Sequence, residues 1–494
     1  MKTKKFLIIG YAYLILPVIL FLVGWLRPQY GITVSALVLI GLYRTIQSSQ
    51  PYCINEKSTK KMLAVIFVIL AWVALSGLGG LVWQNPGDHV YRNALFNDIS
   101  RNDWPVKNYE MPTTRTLTYY LGFWLPSAVV AKLFGMAAGY FFMYLYGAAG
   151  VIIALFLLFE RLGKISVKAT LLFVFFSGLD IFSYFIMSSR DNIPINDMIR
   201  GLLNFEHIEL SLWEFNSSSN TTLLFWLFNQ IIPFWVGFLL LWRAKGNGTL
   251  MFTYSLLFLF SPFPCAALAP VMVVRAMQNT SFSTKRLWSS ITALARSLLT
   301  FANVAGLLLL IVIALYYQSN VSVSMLGTIP FIFSNIAKFI IYLLIEYVIF
   351  MPILWKRVKH DAFFWTMFFT TMVCGFFVLG NSHDFSWRTC IPLAFYIMVL
   401  VAEEIQHVNW KSLCGKFLLI VLLLGAITPM LEMLRTTKQT WLISTGQLGE
   451  PFISNTFVDE PYKGQELNSA FDPSRCQDNF VGSNDAFFFR YLAK

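Results

Sequence analysis

Charge is what this sequence has little of. Only 13% of its 494 residues are charged, against roughly a quarter in soluble domains. With 57% hydrophobic and 17% aromatic residues, that shortage excludes an ordinary soluble enzyme. Cysteine is scarce and unpatterned. Cys53, Cys265, Cys374, Cys390, Cys414 and Cys476 show no CxxC or other metal-ligand spacing, and most lie in apolar runs, so no disulfide framework is expected. A basic face for nucleic acid is also missing. The net charge is +12, but the lysines and arginines flank apolar runs as the positive-inside rule expects, so nucleic acid is not a partner. No small-residue cleavage site follows Met1–Lys5, and the run Phe6–Leu26 is too long for the core of a signal peptide. It reads as a first membrane span.

Long apolar runs are what the sequence has in abundance. A span needs roughly 20 apolar residues, and runs of about that length fall at 6–26, 30–46, 61–83, 137–160, 166–188, 222–243, 249–262, 264–277, 296–317, 332–355, 361–380, 389–407 and 412–433. The expected fold is therefore all-α and polytopic, with about 13 spans (11–13). The weaker spans are 30–46 and the pair around Ser261–Pro262–Phe263–Pro264. The stretch 117–135, apolar with paired aromatics and a central Pro126, is expected to lie at the outer surface as an interfacial helix. That arrangement keeps Arg161, Lys164 and Lys168, and also Lys356, Arg357 and Lys359, on the inner side. It implies a multi-pass protein of the plasma (inner) membrane with the N-terminus cytoplasmic and the C-terminus extracytoplasmic. The chain divides into an N-terminal hairpin (1–60), a main transmembrane module (61–433) and a small outer tail (434–494). Every substantial polar stretch (84–136, 189–221, 381–388 and the tail) then faces outward, which places any chemistry at the outer face.

The richest of these stretches follows the third run. Asn85-Pro86-Gly87 is turn chemistry, Asp88 stands where a helix begins, and Tyr91, Leu95 and Ile99 repeat at helical spacing until Trp104-Pro105. A plain structural account makes Asp88 an N-cap that also pairs with Arg92 at i,i+4. His89 sits between them. The loop 189–221 carries Arg190, Asp191, Asp197, Arg200, and His207 between Glu206 and Glu209. A histidine so placed can be a ligand or a proton shuttle, although a lone loop histidine is usually neither. Polar residues inside spans say more, because a charge there costs at least about 2.5–3.5 kcal/mol on insertion scales. Asp180 and the pair Asn229-Gln230 fall in the outer half of their spans, and Asp384 and Arg388 at the outer mouth of a hairpin. Their shared depth suggests one polar cavity. Glu346 falls near mid-membrane with no assigned role.

These features resemble a known family. An aspartate near the start of the first outer loop precedes a proline-containing aromatic helix ending in Leu133-Phe134-Gly135, and a span ending in Glu160-Arg161-Leu162-Gly163-Lys164 follows. That order looks like the GT-C superfamily of integral membrane glycosyltransferases, which includes protein O-mannosyltransferases and aminoarabinose transferases. The stretches Phe176–Ile181, Ser217–Pro233, Asn381–Pro392 and Phe487–Lys494 also resemble uncharacterised bacterial membrane proteins associated with surface polysaccharides. The first resemblance implies a sugar taken from a polyprenyl-phosphate donor and passed, with inversion, to a glycan, lipid or protein acceptor. Asp88 would be the catalytic base or a metal contact, and Arg92, Arg190 and Arg388 would hold the donor phosphate, since guanidinium matches phosphate bidentately. His89, Asp180, His207, Asn229, Gln230 and Asp384 would line the polar cavity. The bilayer itself would hold the polyprenyl tail. No cofactor is specified, and a divalent metal stays open. The chain departs from the family pattern in having no DxD motif, Met111-Pro112 in place of paired prolines, and two extra spans before the loop.

Two other readings compete. A polysaccharide polymerase or ligase of another fold would also act on lipid-linked sugars at the outer face. A transporter of such lipids would be expected to show paired broken spans and mid-membrane charges around an inverted repeat. No internal repeat is visible in the sequence, and the charges gather at one face with Glu346 as the exception.

Overall fold

The computed structural model describes residues 4–52, 54, 58–85, 88–107, 115–212, 215–320, 336–377, 383–448 and 480–494. Among these the fold is helical, with nine helices long and apolar enough to cross a membrane. The most enclosed is Asn220–Arg243, 89% of whose apolar window is buried, followed by Asp384–Glu404 at 83%. These two form the centre of a bundle in which Trp72, Phe173, Trp235 and Phe395 interlock at ring-centroid distances of 4.7 to 6.2 Å. Pro28–Ser48 and Ile336–Val358, each 28% buried, lie at the periphery and turn most of their apolar surface outward. Outward-facing Leu, Ile and Phe are what a bilayer solvates.

Several runs form shorter helices than their apolar length suggests. The run at 61–83 is helical only over Thr59–Leu75. Gly77, Gly79 and Gly80 then adopt positive φ (78°, 82° and 72°), a conformation that ends a helix and that L side chains resist. The pair 249–277 resolves into two helices, Leu250–Phe258 and Pro262–Asn279. They break at Ser261, whose hydroxyl donates to the Gln230 carbonyl at 2.6 Å. The stretch 117–135 becomes a 3-10 turn, Leu121–Trp124, and a ten-residue helix, Leu125–Phe134, together shorter than a span. The last run continues past 433 as a helix to Ser444.

Three candidate spans are interrupted inside the bundle. Val167–Arg190 loses its helix at 176–179, Ile336–Val358 breaks after Glu346, and Leu413–Ser444 joins two helices at Ala426. The breaks meet. Leu179 N donates to Ile345 O at 3.1 Å, and a Cβ on Gly425 would lie 2.9 Å from the carbonyls of both Ser177 and Gly178. Backbone passes so close to backbone here that only glycine fits.

The outer loop and the end of the chain close one end of the bundle. Arg115–Leu117 pairs antiparallel with Val481–Ser483, in register Leu117↔Val481. Phe488 is buried against Phe21 and Tyr316. Arg27 Nε donates to Ala493 O at 3.0 Å, and Lys494 N donates to Trp25 O at 3.0 Å.

Candidate functional site

The loop after Thr59–Leu75 leads into the helix His89–Arg101, whose residues His89 to Ser100 are all buried. The stripe expected at Tyr91, Leu95 and Ile99 is therefore only one side of an element enclosed all round. Asp88 occupies the N-cap position but its side chain makes no capping hydrogen bond. Its carboxylate turns instead to Arg92, with Oδ2 3.3 Å from Nη2. Arg92 is 4% exposed, lies 5.3 Å from the Phe228 ring centroid, and its Nη1 has no partner among the described residues. Loop and helix are stitched together by Asn93 Nδ2 donating to Gln84 Oε1 (2.7 Å) and Gln84 Nε2 donating to Gly77 O (2.9 Å).

A second ion pair reaches this place from far along the chain. On the short helix Asp384–Thr389, Arg388 Nη2 lies 2.8 Å from Asp384 Oδ1. Arg388 also bonds the Tyr120 hydroxyl and faces the Phe263 ring at 6.0 Å. Asp88 feels both arginines and Asp384. Burial raises its pKa above the ordinary carboxylate value, the two guanidinium groups pull against that rise, and Asp384 adds to it. His89 goes the other way. Burial and the Arg92 charge push it down to about 3, while its Nε2 bonds the Phe225 carbonyl at 2.8 Å. That carbonyl precedes a kink in Asn220–Arg243 at Leu227 (φ −126°, ψ 26°). His89 is thus a neutral strut from the loop to the kinked helix.

The polar residues chosen from the sequence do not share one cavity. Asp180 and His207 belong to a separate cluster with Glu209, Glu346 and Glu432. There Asp180 Oδ2 accepts from Ser177 Oγ (2.8 Å) and Thr428 Oγ1 (3.0 Å), and its carboxyl bonds that of Glu346. His207 Nδ1 bonds Glu432 Oε1 at 2.5 Å, and its ring stacks on Trp226 at 4.8 Å. Burial alone would lower the His207 pKa, but the Glu432 carboxylate outweighs it and raises the value. Glu209 is pushed up to about 7 by burial and then by the Asp180 charge. Between the two clusters lies a cleft of about 10 Å³ lined by Trp83, Asn85, His89, Trp226, Glu432 and Arg435, among others. It has room for about one water. Asn229 and Gln230 are buried in the kinked helix, and their side-chain O and N atoms have no partner among the described residues. Arg190 is exposed at the end of the helix Asp180–Arg190.

Tyr120 and Glu432 went unassigned in the sequence. Tyr120 stood only as one of two paired aromatics. Glu432 stood at the edge of an apolar run, and following the helix to Ser444 would have marked it as an intramembrane charge. The donor sets do not suit a divalent cation. Asp88 faces two guanidinium groups, and among the described residues no group of three or more His, Cys, Asp or Glu side chains is arranged to hold a metal. No protein-family model, curated protein or solved structure matches the chain.

Proposed function

We propose that the chain is a membrane glycosyltransferase of GT-C type, which moves a sugar from a polyprenyl-phosphate donor to a glycan, lipid or protein acceptor. The observation that carries this reading is Arg92. It is a buried guanidinium with an unpartnered nitrogen, beside a carboxylate and close to a second buried arginine. In a single displacement the acceptor oxygen bonds the anomeric carbon as the carbon–oxygen bond to phosphate breaks. Asp88 takes the hydroxyl proton, and its raised pKa makes it a better base than an ordinary carboxylate. Arg92 and Arg388 receive the charge that develops on the departing phosphate, and Tyr120 holds Arg388 in place. The reading includes about thirteen crossings of the plasma membrane, a cytoplasmic N-terminus, and the site at the outer face. Mass spectrometry of lipid-linked sugars and surface glycans tests it. With Asp88→Asn the donor should accumulate and one sugar should vanish from the glycan, and profiles identical to wild type would sink it.

A second reading has its own observation. The interrupted spans with Asp180 and Glu346 at their breaks are the features expected of a transporter. Flipping of a labelled polyprenyl-phosphate sugar across proteoliposome membranes, undiminished by Asp88→Asn, would favour it over the transferase.

A further inference from the structure

Asp180 and Glu346 take no part in the chemistry above, yet both are buried at the breaks of interrupted spans. Asp180 is 3% exposed and Glu346 6%. A Cβ on Gly178 would lie 2.1 Å from Glu346 Oε2, so the glutamate fills the space that the break at 176–179 leaves open. Around Asp180 stand Ser177, Thr428, Glu346 and, further off, His207. Around Glu346 stand Asp180, Glu209, Cys390, Tyr342 and Tyr347. No lysine or arginine is among them. Two ionised carboxylates here would repel each other in a medium that solvates neither. Two carboxyl groups packed side by side can hydrogen-bond to each other only when one carries a proton.

A third acid stands next in line. Glu209 is 2% exposed, and its Oε1 accepts from Ser219 N (2.9 Å) and Thr222 Oγ1 (2.7 Å). Its Oε2 is buried with no partner among the described residues. Its charge is felt by Asp180, Glu346 and His207. His207, 13% exposed, bonds Glu432, which lines the small cleft and also takes Arg435 Nη2 at 2.5 Å.

We infer that Asp180 and Glu346 form a proton-binding site inside the bundle, holding one proton between them where three interrupted helices meet, and that Glu209 and His207 connect it to the cleft beside Glu432. Outward transfer moves the proton from the pair to the free oxygen of Glu209, then to the imidazole, and then to water in the cleft. Uptake reverses these steps, and no other species is consumed. Glu209 at about 7 is suited to both. Because the helices break where the proton sits, losing it places two like charges at the joint and pushes the segments apart. The inference rests on neither functional reading above.

Infrared spectroscopy of the full chain in lipid nanodiscs tests it without any assay of activity. The wild-type spectrum at neutral pH should contain a carboxylic-acid band. The Glu346→Gln spectrum should lack the intensity of one acid per chain, because glutamine donates to an ionised Asp180. Asp180→Asn should do the same and serves if Glu346→Gln fails to fold. A wild-type spectrum without an acid band, or one in which either folded variant leaves the band intact, overturns the site. The connection is read as the rate at which the band shifts after exposure to deuterium oxide. Glu209→Ala or His207→Phe should slow that shift by about tenfold or more. Rates equal to wild type in both variants would overturn the path.

Discussion

The two clusters handle their acids in opposite ways. At Asp88 and Asp384 each carboxylate meets an arginine at i,i+4, so charge is balanced by charge. Asp180 and Glu346 have no arginine among their described neighbours, and on the inference above a shared proton supplies the balance. The first arrangement suits a site that must offer fixed charges to a phosphate. The second suits a site whose charge changes. One chain therefore carries a permanent electrostatic site at its loop end and a variable one among its spans.

The harshest way to break this contrast is Gly178→Val. Its branched side chain would displace Glu346 and force open the meeting of three helices, with a Cβ only 2.1 Å from Oε2. Folded protein recovered by gel filtration should fall to near nothing. Recovery at the wild-type level would show that the joint is not tightly specified.

Next in size is Asp88→Asn, which breaks the permanent site alone. The side chain makes no capping bond, so asparagine should leave folding intact while removing the base. Sugar transfer should drop about 10²-fold or more. A drop of only a few-fold at equal expression would return Asp88 to a structural role.

Arg388→Lys sharpens the same side. Lysine keeps the charge but not the two-pronged donor that serves Asp384 and Tyr120 together. Transfer should fall roughly tenfold for lysine and further for alanine. Equal output from the two variants would reduce the arginine to a tether.

The smallest expected effect lies on the variable side. Glu209 and His207 both have folded-state pKa values above their ordinary ones. Each holds a proton more tightly when folded, so its contribution is present at low pH and is lost as pH rises through the folded value, near 7 for Glu209. The melting temperature in detergent should fall by a few degrees between about pH 6 and 8, and Glu209→Gln should flatten the fall. A wild-type midpoint that rises over this range contradicts the assignment.

Parts of this contrast could be read from the sequence. The pairs Asp88–Arg92 and Asp384–Arg388 sit at helical spacing, so one turn of helix brings each together. Their meeting with each other is tertiary, and nothing local announces it. Asp180 and Glu346 each stood out as a charge within an apolar run. Their partnership depends on breaks at 176–179 and after Glu346, which hydropathy averages away. Run length also overstated the helix after Thr59, because the glycines at 77, 79 and 80 are as apolar as the residues around them while their backbone ends the helix. By contrast, Ser261–Pro262 announced its break through proline, and the structure divides the chain there.

The closed end of the bundle fixes a parity. Arg27 is bonded to Ala493 and Lys107 to Lys494, so residues 27, 107 and 494 lie on one side of the membrane. An even number of crossings must then separate 27 from 107. If the one long candidate in that interval, Pro28–Ser48, crosses, the 17-residue helix Thr59–Leu75 is the element that would make the return. From Leu117 to Val481 the count must again be even, since the two are paired strands. The nine long candidates less the two near the N-terminus leave seven there. If all seven cross, then among the described residues an odd number of the shorter helices in that interval, such as Leu250–Phe258, Pro262–Asn279 and Ala362–Cys374, would cross as well. Two hydrogen bonds and a three-residue strand pair thus impose a parity on the crossings that hydropathy alone does not supply.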